Sequence, residues 1–252
     1  MKDYSNYESD EFSCTFEGHT AVICLKSESF KMALSSIRMH ELLDCMNAIE
    51  LDDNIKGVMT LDTSEYEDVE GLKNFIKSIQ SESAFVQKEM GINRYGNSIR
   101  HLTLAVNEFS KPCVMGLEGQ VPIDSFGYFL ACDHRIAADD MTIEFPGLKL
   151  GVTPAGAVSF FMNRQIGPLK TLEILMSGKS LSVNEAKDLC LVNEIVPVEQ
   201  LKAACQAKLD EFYKVPGKTL FLTKQLIKPR THELEEFFEK SSHLMWSSIV
   251  EK

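Results

Sequence analysis

Polar and apolar residues alternate through FSCTFEGHTAVICLK (12–26), in two runs that meet at Glu17-Gly18. Side chains of a strand point to opposite faces at period two, so this stretch predicts a β-hairpin with one buried face. The period then changes. After Ser35-Ser36, either of which can cap a helix, Ile37, His40, Leu42, Leu43, Met46 and Ile49 recur at helical spacing. Residues 55–61 predict a strand, and a polar, acidic loop follows from Asp62 to Gly71. Two helical stretches, about 71–81 and 84–109, carry the chain to Lys111.

The segment KPCVMGLEGQVPIDSFGYFLACD (111–133) reads as a short buried strand (112–117), a turn at Glu118-Gly119-Gln120 and a helix beginning near Asp124 and running through Cys132. That helix has no charge between Asp124 and Asp133, and Phe126, Tyr128, Phe129 and Leu130 surround most of it. It should therefore lie inside the protein. The first amide N–H groups of a helix have no partner within it, so a buried helix start facing a cavity is a ready site for an oxygen carrying negative charge.

Beyond Asp133, residues 134–138 and 141–145 predict two short strands, the second broken by Pro146-Gly147. Helices follow at about 156–165 and 168–176, and Ser182-Val183-Asn184-Glu185 is a capping box for another, ending at Leu189. A last strand (192–196) precedes three helices at roughly 198–213, 216–227 and 231–250, punctuated by Pro216 and Pro229. No Gly/Ser/Pro-rich linker divides the 252 residues, and 44% of them are hydrophobic, enough for one sizeable core.

Composition removes several classes of function. A net charge of −11 advertises no basic face for nucleic acid, although a few local lysines can still hold a nucleotide-bearing cofactor. The N-terminal segment is acidic and polar, and no apolar run approaches a membrane span, so a cytoplasmic protein is expected. Seven scattered cysteines without a CxxC pair predict buried, reduced thiols and no metal site.

A series of short segments then stands in one order along the chain: Lys111-Pro112, Glu118-Gly119, Ala131-Cys132-Asp133, Arg135-Ile136-Ala137, Leu150-Gly151-Val152, Pro154-Ala155-Gly156, Ile166-Gly167, Ser177-Gly178, Glu185-Ala186 and Leu191-Val192. In order and spacing this series resembles the crotonase (enoyl-CoA hydratase/isomerase) superfamily, with weaker agreement back to Ala33-Leu34 and forward to Lys224. The resemblance implies an α/β fold: the crotonase (ClpP/crotonase-like) ββα spiral core at 1–197, followed by a C-terminal helical trimerisation region at 198–252. It also implies an acyl-CoA or acyl-carrier thioester as ligand, with coenzyme A entering as part of the substrate and no prosthetic group. A homotrimer or dimer of trimers is expected, packed through the apolar face of the final helix (Phe237, Phe238, Leu244, Met245, Trp246 and Ile249).

Laid residue by residue on this chain, the family's two backbone donors to the thioester carbonyl are the amides of Gly71 and Asp124. The two hydratase glutamates fall on Gly127 and Gly147, and the isomerase base falls on Ala155. A glycine cannot transfer a proton, so hydration by the family route is not expected. Enolate-type chemistry (isomerisation, decarboxylation or hydrolysis) would need another acid or base. Asp124 and Glu118 are the candidates, although Asp124 also suits a helix N-cap and Glu118 a solvated turn. Glu65, Glu67 and Glu70 are the alternatives for a residual hydratase, and a non-catalytic homologue acting as a thioester-binding or complex subunit is the competing reading. Lys31, Ala33, Lys224 and Lys228, with Lys218 and Arg230, stand where the family meets the cofactor. His134 is expected to cap the central helix and His243 to be partly buried.

Overall fold

The computed structural model describes residues 3–26, 35–62 and 66–250, with backbone only at 36, 66–68, 85–86, 124–126 and 250. The predicted hairpin forms: β1 (Asn6–Glu8) pairs antiparallel with β2 (Phe12–Glu17), and β2 with β3 (Thr20–Leu25). Alternation puts Phe12 and Cys14 of β2 inside. Ser35 opens α1 (Ser36–Leu51) by accepting the Arg38 N–H at 3.3 Å. The chain returns through β4 (Gly57–Asp62), parallel to β3.

Helix α2 (Tyr66–Ser81) begins at Tyr66, whereas the sequence predicted a helix from about Gly71. Its acidic first turn reads as a solvated loop, yet acidic residues are favoured beside the positive end of a helix. After α3 (Phe85–Glu108), β5 (Cys113–Leu117) runs parallel to β4 with all five residues buried. A strand covered on both faces carries such an unbroken apolar run.

From β5 onward the chain alternates between two sheets. β6 (Gln120–Pro122) leaves the first sheet, α4 (Ile123–Ala131) crosses, and β7 (His134–Ala138) returns beside β5. β8 (Thr142–Glu144) then pairs with β6, followed by α5 (Pro146–Lys149), α6 (Val158–Ile166) and α7 (Pro168–Ser177). β9 (Leu181–Ser182) joins β8, and after α8 (Val183–Asp188) the strand β10 (Glu194–Val196) lies beside β7. The result is a seven-stranded sheet, β1-β2-β3-β4-β5-β7-β10, and a three-stranded one, β6-β8-β9. Successive turns give one strand to each sheet, as the expected ββα spiral requires. Pro146-Gly147 starts the short α5, so the break predicted there is a helix.

The larger core lies on the side of the first sheet covered by α1, α3 and α4. The opposite side is closed by α9 (Leu201–Phe212), whose Leu201, Cys205 and Leu209 pack on Met59, Val114 and Ile136. Gly116 of β5 permits this approach, because a Cβ there would stand 2.8 Å from Leu61 Cδ2 and 3.1 Å from Cys205 Sγ. α10 (Gly217–Ile227) has no buried residue and exposes Leu222, Leu226 and Ile227. α11 (Thr231–Val250) packs on α3 and α2 and buries Phe238, Met245 and Ile249. Half of the apolar face named for the final helix is thus buried within the chain, while Leu244 stays exposed and Phe237 and Trp246 are half-buried. No described helix is long and apolar enough to cross a membrane. All seven cysteines are free thiols, and no group of three potential metal-ligating side chains occurs among the described residues.

Candidate functional site

The start of α4 sits at the carboxyl edge of the parallel strands, the edge at which open α/β sheets bind ligands. Its N-cap is Pro122, with no side-chain cap bond, and the helix proper begins at Ile123. Asp124 is therefore the second helical residue, not the cap that the sequence suggested. Pro122 has no N–H, and the amide of Asp124 lies in the first turn, where no acceptor exists within the helix.

The opposite end of α4 is heavily cationic. Arg135, only 6% exposed, donates to the carbonyls of Cys132 (3.1 Å), Leu130 (3.4 Å) and Leu191 (2.7 Å). Lys228 donates to the carbonyl of Ala131 at 2.8 Å. The last three carbonyls of the helix and its cap are thereby satisfied by positive charge, which offsets the negative end of its dipole. At the positive end the N-cap Pro122 makes no side-chain cap bond.

Lys224 and Lys228 both hold Asp133. Asp133 receives Lys224 at 2.7 Å on one oxygen and Lys228 at 3.0 Å on the other, and its Oδ2 also accepts the Cys113 N–H at 2.8 Å. Lys224 further donates to the Lys111 carbonyl at 2.7 Å. Burial pushes the Lys224 amine down, with Asp133 opposing. Both lysines lie where the parallel strands start, the opposite edge of the sheet from Asp124. Within one chain this sets them apart from the start of α4. Roomy cavities of ≈ 530 and ≈ 590 Å³ flank α10 at this same edge, with Lys224 and Lys228 in the first and Lys56, Lys111 and the exposed Lys218 in the second. Lys111 itself caps α1, donating to Ile49 O (2.6 Å) and Asp52 O (2.7 Å).

Gly127 lies one turn into α4. A Cβ placed on it would stand 1.4 Å from the carbonyl oxygen of Gly156, in the loop before α6. No side chain fits there. Gly147 is buried in α5, and Ala155 is 6% exposed. Ala155 lines a small chamber of ≈ 20 Å³ together with Phe75 and Ile79 of α2, Tyr95 of α3, and Met245 and Ile249 of α11. That volume is about one water molecule. The Thr153 hydroxyl is buried without a hydrogen-bond partner, while its N–H meets Ser248 Oγ at 3.4 Å.

The remaining predicted residues are scattered. Gly71 lies inside α2, so its N–H belongs to the helical ladder and is not free to bind a carbonyl oxygen. Glu118 is half-buried just after β5. Glu70 pairs with Lys73 at 2.5 Å. Lys31, Ala33 and Glu65 lie outside the described residues, and the side chains of Glu67 and Asp124 are not described. Arg230 is exposed on the surface. His134 does not cap α4: it meets Glu194 at 2.9 Å and Phe212 edge-on, and burial lowers its pKa below the ordinary histidine value. His243 is exposed.

Three residues of consequence escaped the sequence reading. Asp62, 1% exposed, ends β4 beside Leu117 and is the fully buried acidic residue among those described. Its signal was a carboxylate closing an apolar run. Arg135 was legible only as part of a motif. Gly156 gave no sign of its contact with Gly127.

A two-sheet ββα spiral with a helix N-terminus at its carboxyl edge defines a crotonase-like protein. The sequence model described as "Enoyl-CoA hydratase/isomerase" matches residues 15–252. The chain belongs to the enoyl-CoA hydratase/isomerase family. A Thermus thermophilus relative, provisionally named an enoyl-CoA hydratase, is 27% identical over 216 residues, covering 84% of this chain and 81% of its own. Human enoyl-CoA delta isomerase 2 is 27% identical over 206 residues, 81% of this chain but 50% of the human protein. The crystal structure of an enoyl-CoA hydratase from Bacillus halodurans shares the fold at a TM-score of 0.81 with 21% identity, covering 96% of each chain.

Proposed function

We propose that this chain binds an acyl thioester of coenzyme A with the thioester carbonyl at the N-terminus of α4, and that it is not a two-glutamate hydratase. The observation that carries the second half is the contact between Gly127 and Gly156, which leaves no room for a carboxylate at the first acid/base position. Gly147 and Ala155 leave the other positions without a proton carrier. The Asp124 amide is the first donor to the carbonyl oxygen. The second comes from the region before Gly71, where the first-turn amides of α2 have no acceptor within the helix.

If turnover occurs, it is enolate-type chemistry, in which a preorganised pair of amides stabilises the developing oxyanion and an acid or base outside the family positions moves the proton. Asp124, Glu118 and the buried Asp62 are the candidates. A non-catalytic thioester-binding subunit is the second reading, favoured by the chamber, whose lining is apolar apart from Thr153 and Tyr95. The exposed Leu169, Leu172 and Met176 of α7, with Leu222 and Leu226 of α10, support a homotrimer or dimer of trimers that packs through these helices.

Calorimetric titration with short- and long-chain acyl-CoA thioesters and free coenzyme A, each mixture then run on a mass spectrometer, tests the proposal. Micromolar binding with a new product mass establishes a divergent enzyme. Binding without product establishes the subunit reading. Addition of water to an enoyl thioester at family-like rates, or no binding of any thioester, overturns the proposal.

A further inference from the structure

The sulfurs of Cys113 and Cys132 stand 3.3 Å apart, and both residues are buried, at 3% and 4% exposed. Cys113 opens β5 and Cys132 caps the end of α4. Their backbones are tied together: the Asp133 N–H donates to the Cys113 carbonyl at 3.1 Å, and the Cys113 N–H donates to the Asp133 carboxylate at 2.8 Å. The two thiols are therefore held in register by the same residue that holds Lys224 and Lys228. Cys132 also lines the ≈ 530 Å³ cavity, which reaches the exposed Thr223 and Ile227 of α10 and so offers a small solute a way in. Neither thiol has a part in thioester binding as proposed above.

We propose that Cys113 and Cys132 form an oxidation site that takes a small hydroperoxide and closes into an intramolecular disulfide. The sulfurs need to approach from 3.3 Å to about 2.05 Å, a movement within reach of side-chain rotation. One sulfur, as thiolate, attacks a peroxide oxygen. The O–O bond breaks, the departing oxygen takes up a proton to leave as water, and a sulfenic acid remains. The second sulfur attacks the sulfenic sulfur, and its proton leaves with the hydroxyl as a second water. Two thiols lose two electrons and two protons, and hydrogen peroxide becomes two waters.

The surroundings favour the first step. The hydrogen bond with Cys132 draws the Cys113 thiol below its ordinary pKa, with burial and Asp133 opposing and Lys224 and Lys228 assisting, while Cys132 is pushed up by the same contact and by burial. Ionisation of the pair thus falls first on Cys113. Closure would join the two ends of the segment that contains the β5–β6 turn and the start of α4, restricting the unfolded chain around the site.

The full-length protein is treated in its native state with increasing hydrogen peroxide, then denatured, alkylated and cut with chymotrypsin, which cleaves between the two cysteines. The expected product is a pair of peptides joined through sulfur, lighter than the two free peptides by two hydrogen atoms and separated by dithiothreitol, together with a higher thermal midpoint. In Cys132→Ser the joined pair is absent and a sulfenic-acid probe labels Cys113. If Cys113 and Cys132 are both still alkylated after peroxide has oxidised the exposed Cys190, or if the joined peptides carry Cys14 and Cys45, the proposal fails. The wild-type map decides the matter even if the variant does not fold.

Discussion

A Cβ atom on Gly127 would stand 1.4 Å from the carbonyl oxygen of Gly156. The two glycines meet backbone to backbone, so α6 and the loop before it close directly on α4. Restoring the family carboxylate by Gly127→Glu should therefore destroy packing rather than restore chemistry. We expect a loss of about 3 kcal/mol in denaturant unfolding, the upper range for overpacking, since backbone rather than a flexible side chain must move. No hydration of an enoyl thioester should appear. A variant that folds normally and hydrates would show that the loop yields and that the glycine is a recent loss.

Asp133 joins α10 to the rest of the protein through Lys224 and Lys228, whose side chains are 12% and 16% exposed. Asp133→Ala leaves two partly buried ammonium groups without their carboxylate. Breaking a fully buried pair costs more, but partial exposure screens this one, and about 2–3 kcal/mol is expected. α10 buries no residue of its own, so hydrogen exchange should rise across 217–227 before it rises in β5. Equal protection of α10 in the variant and the wild type would mean that other contacts hold the helix.

How much of this was legible beforehand follows from which signals are local. The hairpin, the buried β5 and the apolar central helix were readable because period two, an unbroken apolar run and an all-round apolar helix are properties of contiguous residues. β1 was missed because three residues carry no measurable period. The start of α2 was misplaced because its acidic first turn reads equally well as a loop. Lys224 and Lys228 look like ordinary surface or ligand cations until the chain folds back on Asp133, and the Gly127–Gly156 contact exists only in three dimensions. Motif positions showed which proton carriers were absent; only packing shows that there is no room for one.

Asp124 occupies the second position of α4 and does not cap it. Asp124→Asn keeps the backbone N–H but removes a negative charge beside the place where a thioester oxygen would gain one. Loss of the favourable charge–dipole interaction should lower stability by about 0.5 kcal/mol. Thioester affinity, read by calorimetry, should rise severalfold. Should turnover exist and vanish in this variant while binding is kept, Asp124 would instead be the proton carrier.

His134 gives the pH dependence. Its Nε2 lies 2.9 Å from Glu194 Oε1, with Lys208 on the same carboxylate at 3.1 Å, Arg135 next in sequence and the Phe212 ring edge-on at 6.1 Å. Burial is the largest influence and lowers its pKa despite Glu194. The folded protein therefore takes up this proton at lower pH than the unfolded chain does. Above the unfolded value of about 6.5 both states hold the neutral ring, and its contribution to stability is fully present. As the pH falls below that value the unfolded chain binds the proton first, and stability is lost until the folded value is passed. Thermal midpoints taken between about pH 7 and pH 5 should thus fall more steeply for the wild type than for His134→Gln. Parallel curves would mean that Glu194 restores the ordinary affinity for the proton, and that the buried ring contributes no pH dependence in this range.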